Sequence, residues 1–558
     1  VTYTVTDGSG ADDTSTLTVT VSPVAFRVTT FAPTDSGFRV EFNHAVDPTV
    51  LNLYGPGEAG DNDNPAARGP ADVSLIGSGG IGTVRGSLIL DDDRMGATFI
   101  RTNGLLLTGD YTLTLASRSD GWQDTGGRLL ASNGTGSDYV QHFTVTDYST
   151  SAILSIGEIT RGLGQALNVV PGTANSGVPI TIRNAAGVTT VEFALAYEPA
   201  LWDVDEVLFG AGVTGSYTVD PTKGVVTVSA TSSTLGTAPT ELARIIGSVV
   251  DAAVADYGGK QVLDLHDVDL RDASGGGRAV RVDDGLHLNA YLADTNGLHG
   301  YSSLDQQRLQ RVLNGLDTGF SAYPLVDPVV VADVNNSRSL TSADVLILAR
   351  ELNWLTTGTA SNDRPEIPAI PSNIVLPDAI GPDPLVDLPR DLSVFAGGVL
   401  TVPVRLDTAA GLESVQLQLA WNPAELELIG VRRGSLTGDF QYFLARQEAD
   451  SLHVDMSRLE LMQGGQGTVL ELDFRAAASA VGSVNIDLQW ARLNDTRLTL
   501  NPAPQFGSDP TDGVVSVVGT QVETVAPADT NVAIQADADA QPADAARETA
   551  ALLRTLFT

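Results

Sequence analysis

One segment of this chain occurs twice at a constant offset of 224 residues, and this internal repeat constrains the fold more than any other feature of the sequence. Twelve of the 33 residues from 178 to 210 are identical to their counterparts from 402 to 434, where chance would give about two or three. The sequence therefore contains one type of module in two copies. The identical residues of the first copy are Val178, Pro179, Ala185, Ala186, Gly187, Val191, Leu195, Ala196, Pro199, Ala200, Val207 and Gly210.

Apolar residues alternate in both copies up to an aromatic–x–Pro sequence, after which a second strand begins. Alternation places every second side chain on one face of a strand, and a proline ends the strand at a turn. The expected core residues are Val191, Phe193, Leu195 and Tyr197 in the first copy and Val415, Leu417, Leu419 and Trp421 in the second. The motif resembles the cohesin family, over about 151–289 and 390–518. This resemblance implies jelly-roll β-sandwiches that bind a calcium-loaded dockerin module.

The charge balance excludes several classes of function. The chain has 32 basic and 68 acidic residues, a net charge of −36, whereas a nucleic-acid or anionic-lipid binder needs an excess of Lys and Arg. It has no cysteine, so disulfides and thiolate metal sites are excluded. It also has no run of 18 apolar residues, so no membrane span is expected. These features favour a secreted chain that relies on calcium rather than on disulfides.

Two 12-residue loops, 294–305 and 333–344, match point for point at a spacing of 39 residues in the only region with a helical pattern, 290–356. Asp or Asn occupies positions 1 and 3 of each loop, Ser or Thr position 9, and Asp position 12. Calcium takes six to eight oxygen ligands, which a loop of this length can wrap around one ion. Leucines follow the last Asp of each loop at +4 and +8, on one face of a helix: Leu309, Leu313, Leu348 and Leu352.

This pattern resembles the dockerin family, whose duplicated loop–helix units bind two calcium ions. The resemblance implies that Asp294, Asn296, Asp305 and the carbonyl of Gly300 ligate the first ion, with Ser302 acting through water. It implies that Asp333, Asn335, Ser337, Asp344 and the carbonyl of Ser339 ligate the second ion, with Thr341 acting through water.

The two loops depart from the dockerin pattern in two places. Position 5, normally an acid or Asn, is Leu298 in the first loop and Ser337 in the second. Position 6, usually Gly, is His299 and Arg338. Each loop therefore has only two carboxylates, which predicts a weak Kd of about 10⁻⁵ to 10⁻³ M. The first loop is the more doubtful site, and a metal-poor helical hairpin packed between sandwiches is the alternative.

The remaining segments are predicted from composition and alternation. Residues 1–23 indicate a hairpin with strands at 1–6 and 16–21, which is either the remnant of a cadherin-like or Ig-like repeat or a donor of strands to a neighbouring molecule. Residues 24–147 resemble a bacterial surface-layer Ig-like domain, with strands at 38–42 and 111–115. Residues 357–389 form a proline-rich, extended linker. Residues 519–558 form an acidic disordered tail whose end is either frayed or a secretion signal.

Other candidate sites have simpler interpretations. Acidic clusters at Asp61/Asp63 and Asp91–Asp93 are either calcium sites or, as we favour, solvated turns. The G-x-G-x-x-G sequence at 77–82 precedes a strand rather than a helix, so it indicates a glycine turn and no phosphate site. The six histidines are scattered and no nucleophile motif occurs. The sequence therefore predicts no enzyme.

The predicted fold class is mainly β, with tandem Ig-like and jelly-roll cohesin-like sandwiches and one small α-helical dockerin-like module. The predicted function is an extracellular calcium-binding structural protein of the bacterial cell surface. Its helical module would bind a cohesin-like module of the same chain, or of the next copy to build a head-to-tail fibre, and the fibre is the favoured form. The alternative is a scaffold for polysaccharide-degrading enzymes, with polysaccharide and other cohesin- or dockerin-bearing proteins as partners.

Overall fold

The computed structural model describes residues 2–10, 12–16, 24–54, 69–134, 137–168, 177–357, 367–372, 374 and 383–519. Most of these residues form antiparallel sheets, and the α-helices among them lie between 303 and 357. The predicted mainly-β fold class with one small helical region is therefore confirmed. No helix in this part of the chain is long and apolar enough to cross a membrane.

The N-terminal hairpin differs from its prediction in where the second strand begins. Strand β1 (Thr2–Thr6) pairs antiparallel with β2 (Asp12–Thr16), so pairing resumes at residue 12 rather than at 16. The reason is a tight turn: the Asp7 side chain accepts the Ser9 NH at 2.9 Å, and the Gly10 NH bonds the Asp7 carbonyl at 3.1 Å. The remainder of the predicted second strand lies outside the described residues.

The next 120 or so residues form two four-stranded sheets with the orders β3-β4-β8-β7 and β10-β9-β5-β6, here called the N-terminal sandwich. The strands predicted at 38–42 and 111–115 are confirmed within β4 and β9. The glycine sequence at 77–82 is a turn between β5 and β6, as predicted. The strands are β3 (Val28–Pro33), β4 (Gly37–Phe42), β5 (Val73–Gly77), β6 (Gly82–Thr83), β7 (Gly86–Leu90), β8 (Gly96–Arg101), β9 (Gly109–Leu115) and β10 (Tyr139–Val145).

The two acidic clusters predicted in this sandwich have different outcomes. Asp91 forms an ion pair with Arg39 at 2.6 Å, and Asp93 accepts the Met95 NH at 2.8 Å, so this cluster is a hydrogen-bonded turn at the surface. Asp61 and Asp63 lie outside the described residues.

The first copy of the repeat folds into what we call the middle sandwich. Its sheets have the orders β15-β18-β13-β11-β20 and β12-β21-β19-β14-β17-β16. The strands are β11 (Ala152–Ile156), β12 (Ile159–Thr160), β13 (Val178–Arg183), β14 (Val188–Ala196), β15 (Trp202–Phe209), β16 (Thr214–Asp220), β17 (Val225–Thr231), β18 (Thr240–Val249), β19 (Lys260–Asp272), β20 (Val280–Asp283) and β21 (Gly285–Leu288).

The second copy folds into the C-terminal sandwich, whose sheets have the orders β22-β24-β29-β26 and β23-β31-β30-β25-β28-β27. The strands are β22 (Val386–Asp387), β23 (Leu392–Phe395), β24 (Val399–Leu406), β25 (Ser414–Trp421), β26 (Leu426–Arg433), β27 (Tyr442–Gln447), β28 (Ser451–Ser457), β29 (Gly467–Ala476), β30 (Gly482–Leu493) and β31 (Gly513–Val518).

Seven consecutive strands of the two copies occupy the same places. Strands β13 to β19 of the middle sandwich correspond in order and sheet position to β24 to β30 of the C-terminal sandwich. The eight residues predicted for the two cores are all buried. Strands β14 and β25 end before Pro199 and Pro423, as the aromatic–x–Pro sequence predicts.

The helical module joins the two sandwiches in the chain and contains α1 (Ser303–Leu313), α2 (Pro328–Ala332) and α3 (Ser342–Thr357). Helices α1 and α3 pack together, and Leu309, Leu348 and Leu352 are buried. These leucines belong to one continuous core with the middle sandwich, whereas the C-terminal sandwich has a core of its own.

Part of the predicted linker lies against the protein rather than extending from it. The Ile367 side chain is buried, and the Gln165 amide donates to the carbonyls of Pro368 and Ala369 at 3.1 Å each. Residues 367–372 are therefore attached to the middle sandwich.

Candidate functional site

The two predicted calcium loops fold alike, beginning with positions 1 and 3. Asp294 and Asp333 at position 1 accept hydrogen bonds from the backbone NH groups of positions 5 and 6, at 2.6 to 3.2 Å. The side-chain oxygens of Asn296 and Asn335 at position 3 accept from the NH of position 5, at 2.8 and 2.9 Å. The first half of each loop is thus wrapped around its own side-chain oxygens.

Position 12 closes each loop. Asp305 and Asp344 accept the NH groups of position 3 at 3.1 and 3.4 Å, and those of position 9 at 2.9 and 2.8 Å. Each aspartate lies in the first turn of α1 or α3, where a negative charge favours the helix dipole. The predicted residues at positions 1, 3, 9 and 12 are therefore brought together in both loops.

Position 6 has the same backbone conformation in both copies although neither residue is glycine. His299 and Arg338 have φ of 66° and 68°, the left-handed region that favours glycine. The His299 ring lies on the Tyr257 ring of the middle sandwich, with centroids 3.7 Å apart. Packing from outside the loop therefore accompanies the conformation that glycine would adopt freely.

Position 5 is where the two loops differ. In loop two the Ser337 hydroxyl lies 3.4 Å from Asp333 Oδ1 and donates to the Ser339 carbonyl at 2.9 Å. Oxygens of positions 1, 5 and 7 are thus adjacent there. Leu298 offers no side-chain oxygen at the corresponding point of loop one.

The residues present fit calcium better than a metal that prefers nitrogen or sulfur ligands. In the described part of the chain, no group of three or more His, Asp or Glu side chains converges to hold a metal ion. Any ion in these loops therefore needs neutral oxygens as well, and calcium accepts carboxylate, amide and carbonyl oxygens together. A bound ion would supply charge neutralisation and would fix each loop to the start of its helix. Calcium binding remains a prediction.

The loops differ strongly in burial. Asp294 and Asp305 of loop one are fully buried, whereas residues 335–339 of loop two are exposed. Burial raises the pKa of Asp294 and of Asp305, because a charged carboxylate loses its hydration inside the protein. The Tyr257 hydroxyl of the middle sandwich donates to Asp294 Oδ2 at 2.5 Å. Loop one is therefore part of an interdomain interface, and loop two faces solvent.

Helix α1 is docked on the C-terminal sandwich of the same chain. The Ser303 hydroxyl donates to Asp455 Oδ1 at 2.6 Å and lies 2.9 Å from Ser457 Oγ, both on β28. One turn further along α1, Arg308 forms an ion pair with Glu413 at 3.3 Å. The sequence left open whether the helical module binds within the chain or between copies, and this structure has it bound within the chain.

The helical module is also attached to the N-terminal sandwich. Asp327, fully buried before α2, accepts two hydrogen bonds from Arg85 at 2.8 and 3.0 Å and one from the Thr102 hydroxyl at 3.0 Å. The backbone NH of Leu88 in β7 donates to the Leu325 carbonyl at 2.9 Å. A fork of two parallel bonds to a buried carboxylate fixes orientation as well as distance.

The middle sandwich completes the surroundings of the helical module. The Thr160 hydroxyl of β12 donates to the Val330 carbonyl of α2 at 2.6 Å, beneath the shared core. The module thus has a buried polar contact with each of the three sandwiches.

Sequence reasoning missed the partners of the loops and helices. Tyr257, Asp327, Asp455 and Asp495 lie outside both loops and belong to no motif. One signal was available for a missing partner, since Leu298 leaves loop one short of a carboxylate. Nothing in the sequence indicated which residue would approach it.

The buried histidines are held uncharged. Burial lowers the pKa of His287 and of His299 to about 4. His287 lies between the Arg161 carbonyl, 3.0 Å from its Nε2, and the Gln261 amide, 3.1 Å from its Nδ1. Its surroundings are those of a core residue.

No family model matches the chain, and no curated protein matches it. Solved structures of cohesin modules are similar to about a quarter of it. A non-cellulosomal cohesin from the archaeon Archaeoglobus fulgidus is 18% identical over 25% of this chain and 89% of its own, with a TM-score of 0.21. A chain of a type I cohesin–dockerin complex from Clostridium thermocellum is 13% identical over 25% and 100%, with a TM-score of 0.21. A type III cohesin from Ruminococcus flavefaciens is 12% identical over 24% and 87%, with a TM-score of 0.21. Similarity at this level does not bear on function.

Proposed function

We propose that this chain is an extracellular calcium-binding structural protein without catalytic activity. Its helical module joins the three sandwiches by contacts of the cohesin–dockerin kind. The observation that carries the proposal is the position of the module: Ser303, Asp327 and Val330 each take part in a buried polar contact with a different sandwich. Buried polar contacts cost free energy unless both partners are satisfied, so they favour one arrangement of the domains over others.

Calcium would stabilise this arrangement by holding the ends of α1 and α3. The carboxylates of position 12 lie in the first turn of each helix and close the loop before it. An ion bound by Asp294 and Asp305 would offset the charge that burial disfavours in loop one. An ion in loop two would act on α3 alone, since loop two faces solvent. Calcium would thus strengthen the docking of α1 on the C-terminal sandwich.

Docking within the chain weighs against a fibre built through α1. The surface of α1 that would meet the next copy is in contact with β28 of its own chain. A head-to-tail contact through this surface would require the module to leave its present position. We therefore favour a self-contained unit over the fibre that the sequence suggested.

A second candidate function is supported by the other copy of the repeat. Strands β16 and β17 of the middle sandwich correspond to β27 and β28, but no described helix covers them. Their outer face includes Tyr217, Thr227 and Thr231, all exposed. This face is suited to a helical module of another chain, whether a second copy or a partner bearing a polysaccharide-degrading enzyme. The protein would then be a scaffold as well as a structural unit.

Small-angle X-ray scattering of the full chain, in millimolar calcium and in excess chelator, tests the first proposal. We expect a larger radius of gyration in chelator because the C-terminal sandwich is released from α1. The double variant Asp305→Asn/Asp344→Asn should resemble the chelated protein in both conditions. Identical scattering with and without calcium would contradict a calcium-dependent unit.

Analytical ultracentrifugation tests the second candidate. Self-association through the uncovered face predicts a sedimentation coefficient that rises with concentration and no longer rises in Tyr217→Arg. A wild-type coefficient that is independent of concentration would exclude a second copy as the partner. Binding of an added dockerin-bearing enzyme that Tyr217→Arg weakens would support the scaffold instead.

A further inference from the structure

Asp495 of the C-terminal sandwich lies against loop one of the helical module. Its Oδ2 accepts hydrogen bonds from the Asn296 amide at 2.8 Å and from the Ser302 hydroxyl at 3.2 Å, which are positions 3 and 9 of the loop. The side chain is 94% buried, being 6% exposed. Its other oxygen, Oδ1, is buried and has no hydrogen-bond partner. A buried carboxylate oxygen without a partner is costly, so this atom indicates a missing ligand.

Three carboxylates meet at this point without a matching positive charge. Asp294, Asp305 and Asp495 are all buried, and burial raises the pKa of each, with Asp305 and Asp495 repelling one another. None of the three forms an ion pair within the described part of the chain. Arg308, whose charge acts on Asp305, is itself paired with Glu413. Buried charges are normally paired or bound to a metal ion.

Gly300 allows Asp495 to approach the loop. A Cβ at Gly300 would lie 2.7 Å from the Asp495 Cβ and 3.3 Å from its backbone carbonyl, so no larger residue fits without movement. Gly300 occupies position 7, whose backbone carbonyl the dockerin pattern assigns to the ion. The two groups that loop one needs around an ion, a carbonyl and a further carboxylate, are therefore adjacent.

The other copy of the repeat shows that this position of Asp495 is not a general feature of the sandwich. Leu270 pairs with Val191 and Leu493 pairs with Val415, and the two valines are equivalent in the repeat. Two residues beyond these leucines are Asp272 and Asp495. Asp272 caps its own turn, accepting the Ser274 and Gly276 NH groups at 2.9 Å each, and hydrogen bonds lower its pKa.

We propose that Asp495 completes loop one as an interdomain calcium site, supplying through Oδ1 the carboxylate that Leu298 cannot supply at position 5. The inference rests on the proposed calcium-binding function and extends it. The ion would be held by Asp294, Asp305 and Asp495 with neutral oxygens of the loop, so it would bind the helical module and the C-terminal sandwich at once. Loop two, which has no such partner from another domain, would bind its ion independently of docking.

Isothermal titration of calcium into the full chain tests the proposal, with Asp344→Asn used to silence loop two. The wild type should bind two ions and Asp344→Asn one. Adding Asp495→Asn to Asp344→Asn should weaken the remaining site about tenfold or more. Adding Asp272→Asn instead, the matched control, should leave it unchanged. Placing a carboxylate in the loop by Leu298→Asp should restore binding in the Asp344→Asn/Asp495→Asn background.

The outcomes separate this inference from the proposed function. If the wild type binds no calcium, the proposed function fails. If Asp344→Asn still binds one ion and Asp495→Asn does not weaken it, the function stands and the role of Asp495 is refuted. If the wild type binds one ion that Asp344→Asn abolishes, the three buried carboxylates share protons instead and the inference is again refuted.

A crystal structure of the wild type grown in calcium provides a test without variants. An anomalous peak within about 2.3–2.6 Å of an Asp495 carboxylate oxygen supports the proposal. An ion in loop one that Asp495 does not ligate overturns it.

Discussion

The Ser303 hydroxyl of α1 donates a 2.6 Å hydrogen bond to Asp455 Oδ1, a residue 152 positions away on the C-terminal sandwich. Burial raises the pKa of Asp455 to about 6, while the bond from Ser303 opposes that rise. Its Oδ2 accepts a second bond from the Gln416 amide at 3.2 Å. The carboxylate is thus buried at the interface with few donors, and its stability depends on Ser303.

Replacing Ser303 with Ala should loosen the docking of α1. Asp455 would lose its shortest hydrogen bond, which we expect to cost about 1–3 kcal/mol of interface free energy. Limited proteolysis of the segment between the helical module and the C-terminal sandwich should be faster in this variant. The control is Ser342→Ala, because Ser342 begins α3 at the equivalent point of the other unit and is exposed. Equal cleavage rates for the two variants would refute the role of Ser303.

Replacing Gly300 with Ala should separate loop one from Asp495. The added methyl group overlaps the Asp495 side chain, and overpacking of this kind costs about 1–3 kcal/mol. We expect a lower unfolding temperature for the C-terminal sandwich in calcium, measured by differential scanning calorimetry. Gly236→Ala is the control, since a methyl group there would meet nothing within 4 Å. Equal melting curves for the two variants would contradict the close contact.

The pH dependence of stability should report the adjacent carboxylates Asp283 and Asp284. Burial raises the pKa of each to about 7. Between the ordinary pKa near 3.9 and this value the folded state binds more protons than the unfolded state, so stability falls as pH rises. Asp284→Asn should therefore raise the free energy of unfolding at pH 8, on the order of 1–2 kcal/mol, with little change at pH 4.

Thermal melts in chelator at pH 4, 6 and 8 measure this difference. The control is Asp267→Asn, because the Asp267 side chain is 86% exposed and an Asn tolerates its φ of 52°. The prediction fails if the stabilisation by Asp284→Asn is the same at all three pH values.

Two separate cores predict two separate thermal transitions. Leu309 belongs to the core shared by the middle sandwich and the helical module, whereas Leu419 belongs to the core of the C-terminal sandwich. Each Leu→Ala change should cost about 2–5 kcal/mol because it leaves a cavity in a closed core. Calorimetry should show Leu309→Ala lowering one transition and Leu419→Ala the other. A single transition lowered equally by both would mean that the two cores unfold as one.

The parts of the site that could be predicted are those with local spacing. A 12-residue loop carries its position-1 and position-12 residues to the same point whatever lies around it, so Asp294 and Asp305 could be paired from the sequence alone. The turn at Asp7 was placed wrongly because the Asp7–Ser9 and Asp7–Gly10 bonds close the hairpin sooner than an acidic stretch suggests. Asp495 could not be found, since it lies 199 residues from Asn296.

The sequence by itself determined that one strand pattern occurs twice and that two loops precede two amphipathic helices, because alternation and loop spacing act over a few neighbouring residues. Only the tertiary structure decided where the helical module is bound. Its contacts with Arg85, Tyr257, Asp455 and Asp495 depend on three separately folded sandwiches meeting around one short segment. Such contacts join surfaces rather than neighbouring residues, and no periodicity along the chain records them.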